Sequence, residues 1–187
     1  MMWQVHPGLI MRKLILALAF SATITPVPGH AQAVNMSAVT CGQYLAMGPD
    51  QARVFSAWMS GWFNQRRGYS WVNPAVFAEN IGSVRQWCAT YPNETIMNGL
   101  ERSMPQPGPM TGQERIDMSL FTCRQYLQSN PERREFVAGW MSGYFLAARE
   151  LPLFDMQRWS DNRVTVSTYC TKHRPETLMS AIQKNAR

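Results

Sequence analysis

Four cysteines are the residues best equipped for chemistry, and their spacing repeats: Cys41 and Cys88 stand 47 positions apart, as do Cys123 and Cys170. A thiol pair can hold a metal, exchange electrons or close a structural disulfide. Zinc and redox sites favour CxxC spacing or a second ligand type, and this chain offers neither. The duplicated interval argues for one disulfide within each half, although four cysteines formally permit three connectivities. Closing a loop of that length stabilises a small fold by about 4 kcal/mol in the chain-entropy model. Other candidate chemistry is thin. His6 and His30 lie before position 34, so His173 is the only imidazole downstream, and nothing ties a Ser or Cys to it. Glu94 and Glu176 are the only acidic residues identical between the halves. Both are expected in the first turn of a helix, where a carboxylate favours the dipole. Met47, Met59 and Met97 fit helix-core spacing rather than a copper cluster. We therefore expect no catalytic residue, no metal site and no cofactor, and the chain does not read as an enzyme.

The cysteine interval belongs to a larger repeat. A shift of 82 residues superimposes two segments without a gap. Thr40-Cys41 and Gln43-Tyr44-Leu45 return as Thr122-Cys123 and Gln125-Tyr126-Leu127, and Pro49 returns as Pro131. Trp58-Met59-Ser60-Gly61 and Phe63 return as Trp140-Met141-Ser142-Gly143 and Phe145. Glu94-Thr95 and Met97 return as Glu176-Thr177 and Met179. About 20 of roughly 65 positions are identical where chance gives about 4, so the halves are a tandem duplication.

What flanks the copies sets their bounds. Arg12 and Lys13, the apolar run Leu14 to Phe20 and Ala31-Gln32-Ala33 have the layout of a secretory signal peptide, so residues 1–33 are expected to be removed, with Met11 the better start. The apolar run is too short for a stable membrane span, which takes about 20 residues. Removal leaves 16 basic against 12 acidic residues, a net charge of +4, and this modest, scattered excess gives no support to nucleic-acid binding. Residues 104–115 hold Pro105, Pro107, Pro109, Gly108 and Gly112 and read as a linker. The lobes are then 34–103 and 116–187, in an exported, disulfide-permissive setting.

Each lobe reads as all-helical, a small bundle stapled by its own cysteines. Thr40 and Thr122 suit the N-caps of a short first helix. Pro49 and Pro131 suit the first turn of a long second one, with Asn130 as a cap. Asn73-Pro74 opens a third helix, and Asn93 and Pro175 are expected to start the last. Sustained period-two alternation is missing, so strands are not expected. The second helix is unusual. Trp58, Met59, Trp62 and Phe63, and likewise Trp140, Met141, Tyr144 and Phe145, cover more than one helical face. Part of that surface is expected in the lobe core, and the excess forms a lobe–lobe contact or a client site. Gly61 and Gly143 sit mid-helix at a cost of about 1 kcal/mol relative to Ala. They either let a neighbouring helix approach closely or loosen the helix so that it opens.

Thr-Cys then aromatic-Leu, a Trp-Met-x-Gly-aromatic helix, a second Cys about 47 residues on and a Glu-Thr-Leu helix resemble the HdeA/HdeB acid-stress chaperones. That resemblance implies small periplasmic helical domains with one internal disulfide. In acid such proteins loosen and bind unfolding clients through apolar surface. Two copies in one chain imply a fused pseudo-dimer in place of a homodimer. The competing expectation is a constitutive periplasmic binding module, such as an immunity or inhibitor protein. Its anchors would be Arg66-Arg67, Arg133-Arg134 and Arg149.

Overall fold

Apart from the helix that starts at Pro49 behind Gly48, the helices start where short polar side chains satisfy free backbone donors. A computed structural model describes residues 33–103 and 115–186. The expected leader and linker therefore lie, but for Ala33 and Arg115, outside the described residues. The first lobe contains α1 (Cys41–Leu45), α2 (Pro49–Arg66), α3 (Pro74–Thr90) and α4 (Ile96–Ser103). The second repeats them as α5 (Cys123–Gln128), α6 (Pro131–Ala147), α7 (Met156–Lys172) and α8 (Leu178–Asn185). Thr40 and Gln43 form a reciprocal capping box on α1, and Thr122 and Gln125 form the same box on α5. Asn130 caps α6 through the Arg133 N–H, with Pro131 in the first turn. Asn73 and, at the equivalent position, Asp155 cap α3 and α7.

The last helix of each lobe corrects the expectation. It starts at Ile96 or Leu178 rather than at Asn93 or Pro175, because Thr95 and Thr177 are the side chains that cap it. Each of these threonines forms an antiparallel bridge with the threonine that caps the lobe's first helix. The carbonyls of Glu94 and Glu176 accept the N–H groups of Cys41 and Cys123, both at 2.8 Å. These acids therefore stand in the turn that precedes the helix, not in its first turn.

Two disulfides, Cys41–Cys88 and Cys123–Cys170, staple the first helix of each lobe to its third. All four cysteines are fully buried. Without that bond, five- and six-residue helices would be too short to persist alone.

The all-helical class holds, with one addition: four two-residue strands, β1 (Val34–Asn35), β2 (Trp71–Val72), β3 (Ile116–Asp117) and β4 (Leu153–Phe154). They are too short to show alternation in sequence. Their pairing joins the lobes: β1 lies antiparallel to β4, and β2 to β3. Val34 faces Phe154 and Val72 faces Ile116, a register that maps onto itself under the 82-residue shift. Just beyond the strands, Met36 N–H donates to the Pro152 carbonyl and Met118 N–H to the Ser70 carbonyl, both at 2.7 Å. The two copies are therefore related as an isologous dimer is, each lending its N-terminal strand to the other.

The core follows the same exchange. One cluster, built on Tyr44, Trp58, Met59 and Cys88, also takes in Phe154 and Trp159 from the second lobe. The other, built on Tyr126, Trp140, Met141 and Cys170, takes in Val72 and packs against Phe77 of the first. A lobe of about 70 residues buries too little surface to be robust by itself. Here the copies complete each other's cores. None of the described helices is long and apolar enough to cross a membrane.

Candidate functional site

The long helices α2 and α6 cross at the centre of the molecule, and the crossing is set by glycine. A Cβ placed on Gly61 would lie 1.9 Å from the Trp140 carbonyl oxygen, and one on Gly143 the same distance from that of Trp58. No side chain fits there. The contact is reciprocal, as the pseudo-twofold relation requires. Close to that axis, a Cβ on Gly139 would lie 3.2 Å from the Cβ of its equivalent, Ala57. Of the two roles expected for the mid-helix glycines, close helix approach is the one the geometry displays.

Around this crossing sit the aromatic and methionine side chains singled out in sequence. Trp58 and Trp140 are fully buried, their carbonyls pressed against the opposing glycines. Trp58 stacks on Trp62, and Trp140 on Tyr144, each with ring centroids 5.0 Å apart. Met59, Trp62, Phe63 and Met141 are buried, while Tyr144 and Phe145 are half-buried. In this compact state, then, the eight residues contribute to core and inter-lobe packing, and Met59, Phe63, Met141 and Phe145 also line a groove in their own lobe. The indole N–H groups of Trp58 and Trp140 find no acceptor among the described side chains. A buried donor without a partner costs about 1–3 kcal/mol, so the centre is apolar and tight without being polar-locked.

Electrostatic ties across the crossing are sparse. Arg53 and its equivalent Glu135 meet at 3.8 Å, and Glu135 also lies 4.0 Å from Arg163. Arg53 is paired with Asp50 on its own helix. Such partly exposed pairs are worth about 0–1 kcal/mol each. A homodimer would place like charges at these two positions, so the fused chain uses an asymmetry that identical protomers cannot have.

Away from the axis, the lobes differ at their last helices. Glu176 accepts hydrogen bonds from Lys184 Nζ (2.6 Å), Ser180 Oγ (2.6 Å) and the Tyr169 hydroxyl (2.9 Å). Lys184 above all, then Ser180 and Tyr169, holds the Glu176 carboxyl down at about 2. The same bonds push Lys184 and Tyr169 up. His173 stacks on Tyr169 with centroids 3.9 Å apart, and its Nδ1 lies 4.0 Å from Glu176. Near β3, the Ser119 hydroxyl, with further bonds from nearby groups, lowers Asp117. Sequence reading missed the Glu176 network, although Ser180 and Lys184 stand four and eight residues after it on one helix face.

Of the arginines considered as anchors, Arg66, Arg133 and Arg149 are exposed at helix ends, whereas Arg67 and Arg134 are partly covered. Arg67 lies over Phe63 and Arg133 over Phe121, in each case 5.7 Å from the ring centroid. No group of three or more His, Cys, Asp or Glu side chains among the described residues could hold a metal ion.

No curated protein and no solved structure matches the chain significantly. A family model does: the HdeA/HdeB family model matches residues 10–98 and again residues 100–180. With that match over both halves, the paired disulfides and the helical lobes, the chain belongs to the HdeA/HdeB family of periplasmic acid-stress chaperones, in two tandem copies.

Proposed function

We propose that this protein is a periplasmic acid-stress chaperone in which the two lobes mask each other's client-binding faces until acid parts them. Residues 1–33 act as the export signal, residues 104–115 join the lobes, and the mature chain starts at Val34. One observation carries the reading: Trp58, Met59, Trp62 and Phe63 are packed around the same glycine-set crossing as Trp140, Met141, Tyr144 and Phe145. Parting α2 from α6 uncovers both sets at once.

Acid supplies the force. Protonating the carboxylates and His173 carries the mature net charge from +4 to about +17, and self-repulsion opposes a compact state. The inter-lobe ion pair at Glu135 is lost on protonation, which leaves the hydrophobic crossing and the two short strand pairs to resist. The disulfides do not titrate, so each lobe keeps its first and third helices together while the lobes separate. The product is a stapled, positively charged body presenting Trp, Met and Phe to unfolding proteins.

The experiment is an aggregation assay with the mature protein and an acid-labile client. The reading predicts ANS binding and suppressed light scattering near pH 2–3, with neither effect near pH 7. Scattering that is unaffected at every acidic pH would reject it.

A further inference from the structure

Each lobe carries the same groove between its second and third helices, and the groove of the second lobe is much the larger. In the first lobe it is a cavity of about 60 Å³. All twelve residues lining it recur, 82 positions on, in a cavity of about 310 Å³ in the second lobe. Met59, Phe63, Val84 and Leu100 become Met141, Phe145, Val166 and Ile182. The larger volume reaches the range of small-molecule sites, roughly 300–1,000 Å³. The smaller does not.

Specific substitutions account for the difference. In the first lobe the Tyr44 hydroxyl and Ser56 Oγ bond at 2.9 Å inside the groove, and Ala138 at the Ser56 position removes that partner from Tyr126. Leu151 and Leu153 line the second groove and are 45% and 48% exposed, whereas their equivalents Tyr69 and Trp71 pack on each other at 5.3 Å and do not line the first. Charge changes with volume. Arg67 lines the first groove alone among basic residues, and the second has Arg149, Arg158 and Arg163. Val76 and Ile81 stand where the second lobe has Arg158 and Arg163. Arg163 lies over Trp159 and at the edge of Glu135, but Arg149 and Arg158 have no carboxylate in ion-pair range among the described residues. The single acidic lining residue, Asp155, is engaged as the α7 cap through the Arg158 N–H.

We propose that the second-lobe groove binds a single-chain fatty-acid carboxylate, its tail between α6 and α7 and its headgroup at Arg149 and Arg158. An apolar trough alone would accept any alkyl chain. Two unpaired guanidinium groups at its mouth, in the one lobe where the trough has opened, select an anionic end. This site shares Met141 and Phe145 with the acid-exposed faces proposed above, but it is already accessible in the compact state and does not need the lobes to part.

The test is displacement of dansylated undecanoate from the full chain at neutral pH, read by dansyl fluorescence. Dodecanoate should displace the probe, and dodecanol should need at least about ten-fold more. Arg149→Ala with Arg158→Ala, both exposed positions, should remove that preference, and Ser142→Trp should abolish probe binding. Ser60→Trp in the first lobe should leave it unchanged. Equal displacement by the alcohol would overturn the anionic specificity. An unaffected Ser142→Trp, binding lost in Ser60→Trp, or affinity for anionic phospholipid vesicles without affinity for dodecanoate would overturn the site. Aggregation assays in acid read the chaperone activity independently, so either idea can fail alone.

Discussion

The two lobes share a backbone plan and differ in how their last helix is held. In the second, Glu176 gathers Tyr169, Ser180 and Lys184. In the first, the equivalent Glu94 is exposed, and among the described residues its carboxylate is bonded by the Asn98 amide alone, at 3.0 Å. Trp87 stands at the Tyr169 position and offers no hydroxyl, and Arg102 stands at the Lys184 position without a carboxylate partner among the described residues. Packing was exchanged along with charge. A Cβ on Gly99 would lie 2.8 Å from the Trp87 ring, while the smaller Tyr169 coexists with Ala181 at that place. A duplicated fold thus keeps what the pseudo-twofold contact needs and lets each copy diverge beyond it.

Ways to break this comparison run from what the lobes share to where they part. Replacing a cysteine pair by Ala should cost about 4 kcal/mol in either lobe, because the loops are equally long. Unequal losses in chemical denaturation would show that the lobes depend on their staples differently. Gly61→Ala and Gly143→Ala should each cost about 3 kcal/mol or more, since the added methyl meets backbone carbonyl rather than a movable side chain. That corresponds to a fall in Tm of about 6–12 °C for a chain this size. ANS binding at neutral pH should accompany it.

Glu176→Gln sharpens the asymmetry through pH. With its folded value at about 2, below the ordinary glutamate value of 4.5, Glu176 contributes stability that is complete above 4.5 and lost as pH falls through 2. The variant should be less stable than the parent from neutral pH down to that window and indistinguishable below it, as read by urea midpoints. Glu94→Gln should change less.

Much of this plan was legible in sequence. The 82-residue offset, the cysteine interval, Thr40 and Thr122 as caps and Pro49 and Pro131 at helix starts are local signals, and local rules govern them. The bounds of α4 and α8 were not legible, because Thr95 and Thr177 are fixed by bridges to threonines more than 50 residues away. The short strands were hidden for the same reason: their partners lie in the other lobe. Gly61 and Gly143 advertised a special need, yet only the crossing shows that each makes room for the other helix's carbonyl. The eight aromatic and methionine residues were recognisable as excess apolar surface. What covers them became visible only with both copies in place.

The central claim is that acid must part α2 from α6 before clients can bind. Ala57 and Gly139 allow that step to be blocked, because Cβ atoms there would lie 3.2 Å apart, close to the roughly 3.5–4.5 Å that a disulfide spans. The measurement is client aggregation near pH 2–3 with the oxidised Ala57→Cys/Gly139→Cys protein, beside each single variant. Our account predicts that the cross-linked protein loses protection while the single variants retain it. Full protection by the cross-linked protein would contradict the account.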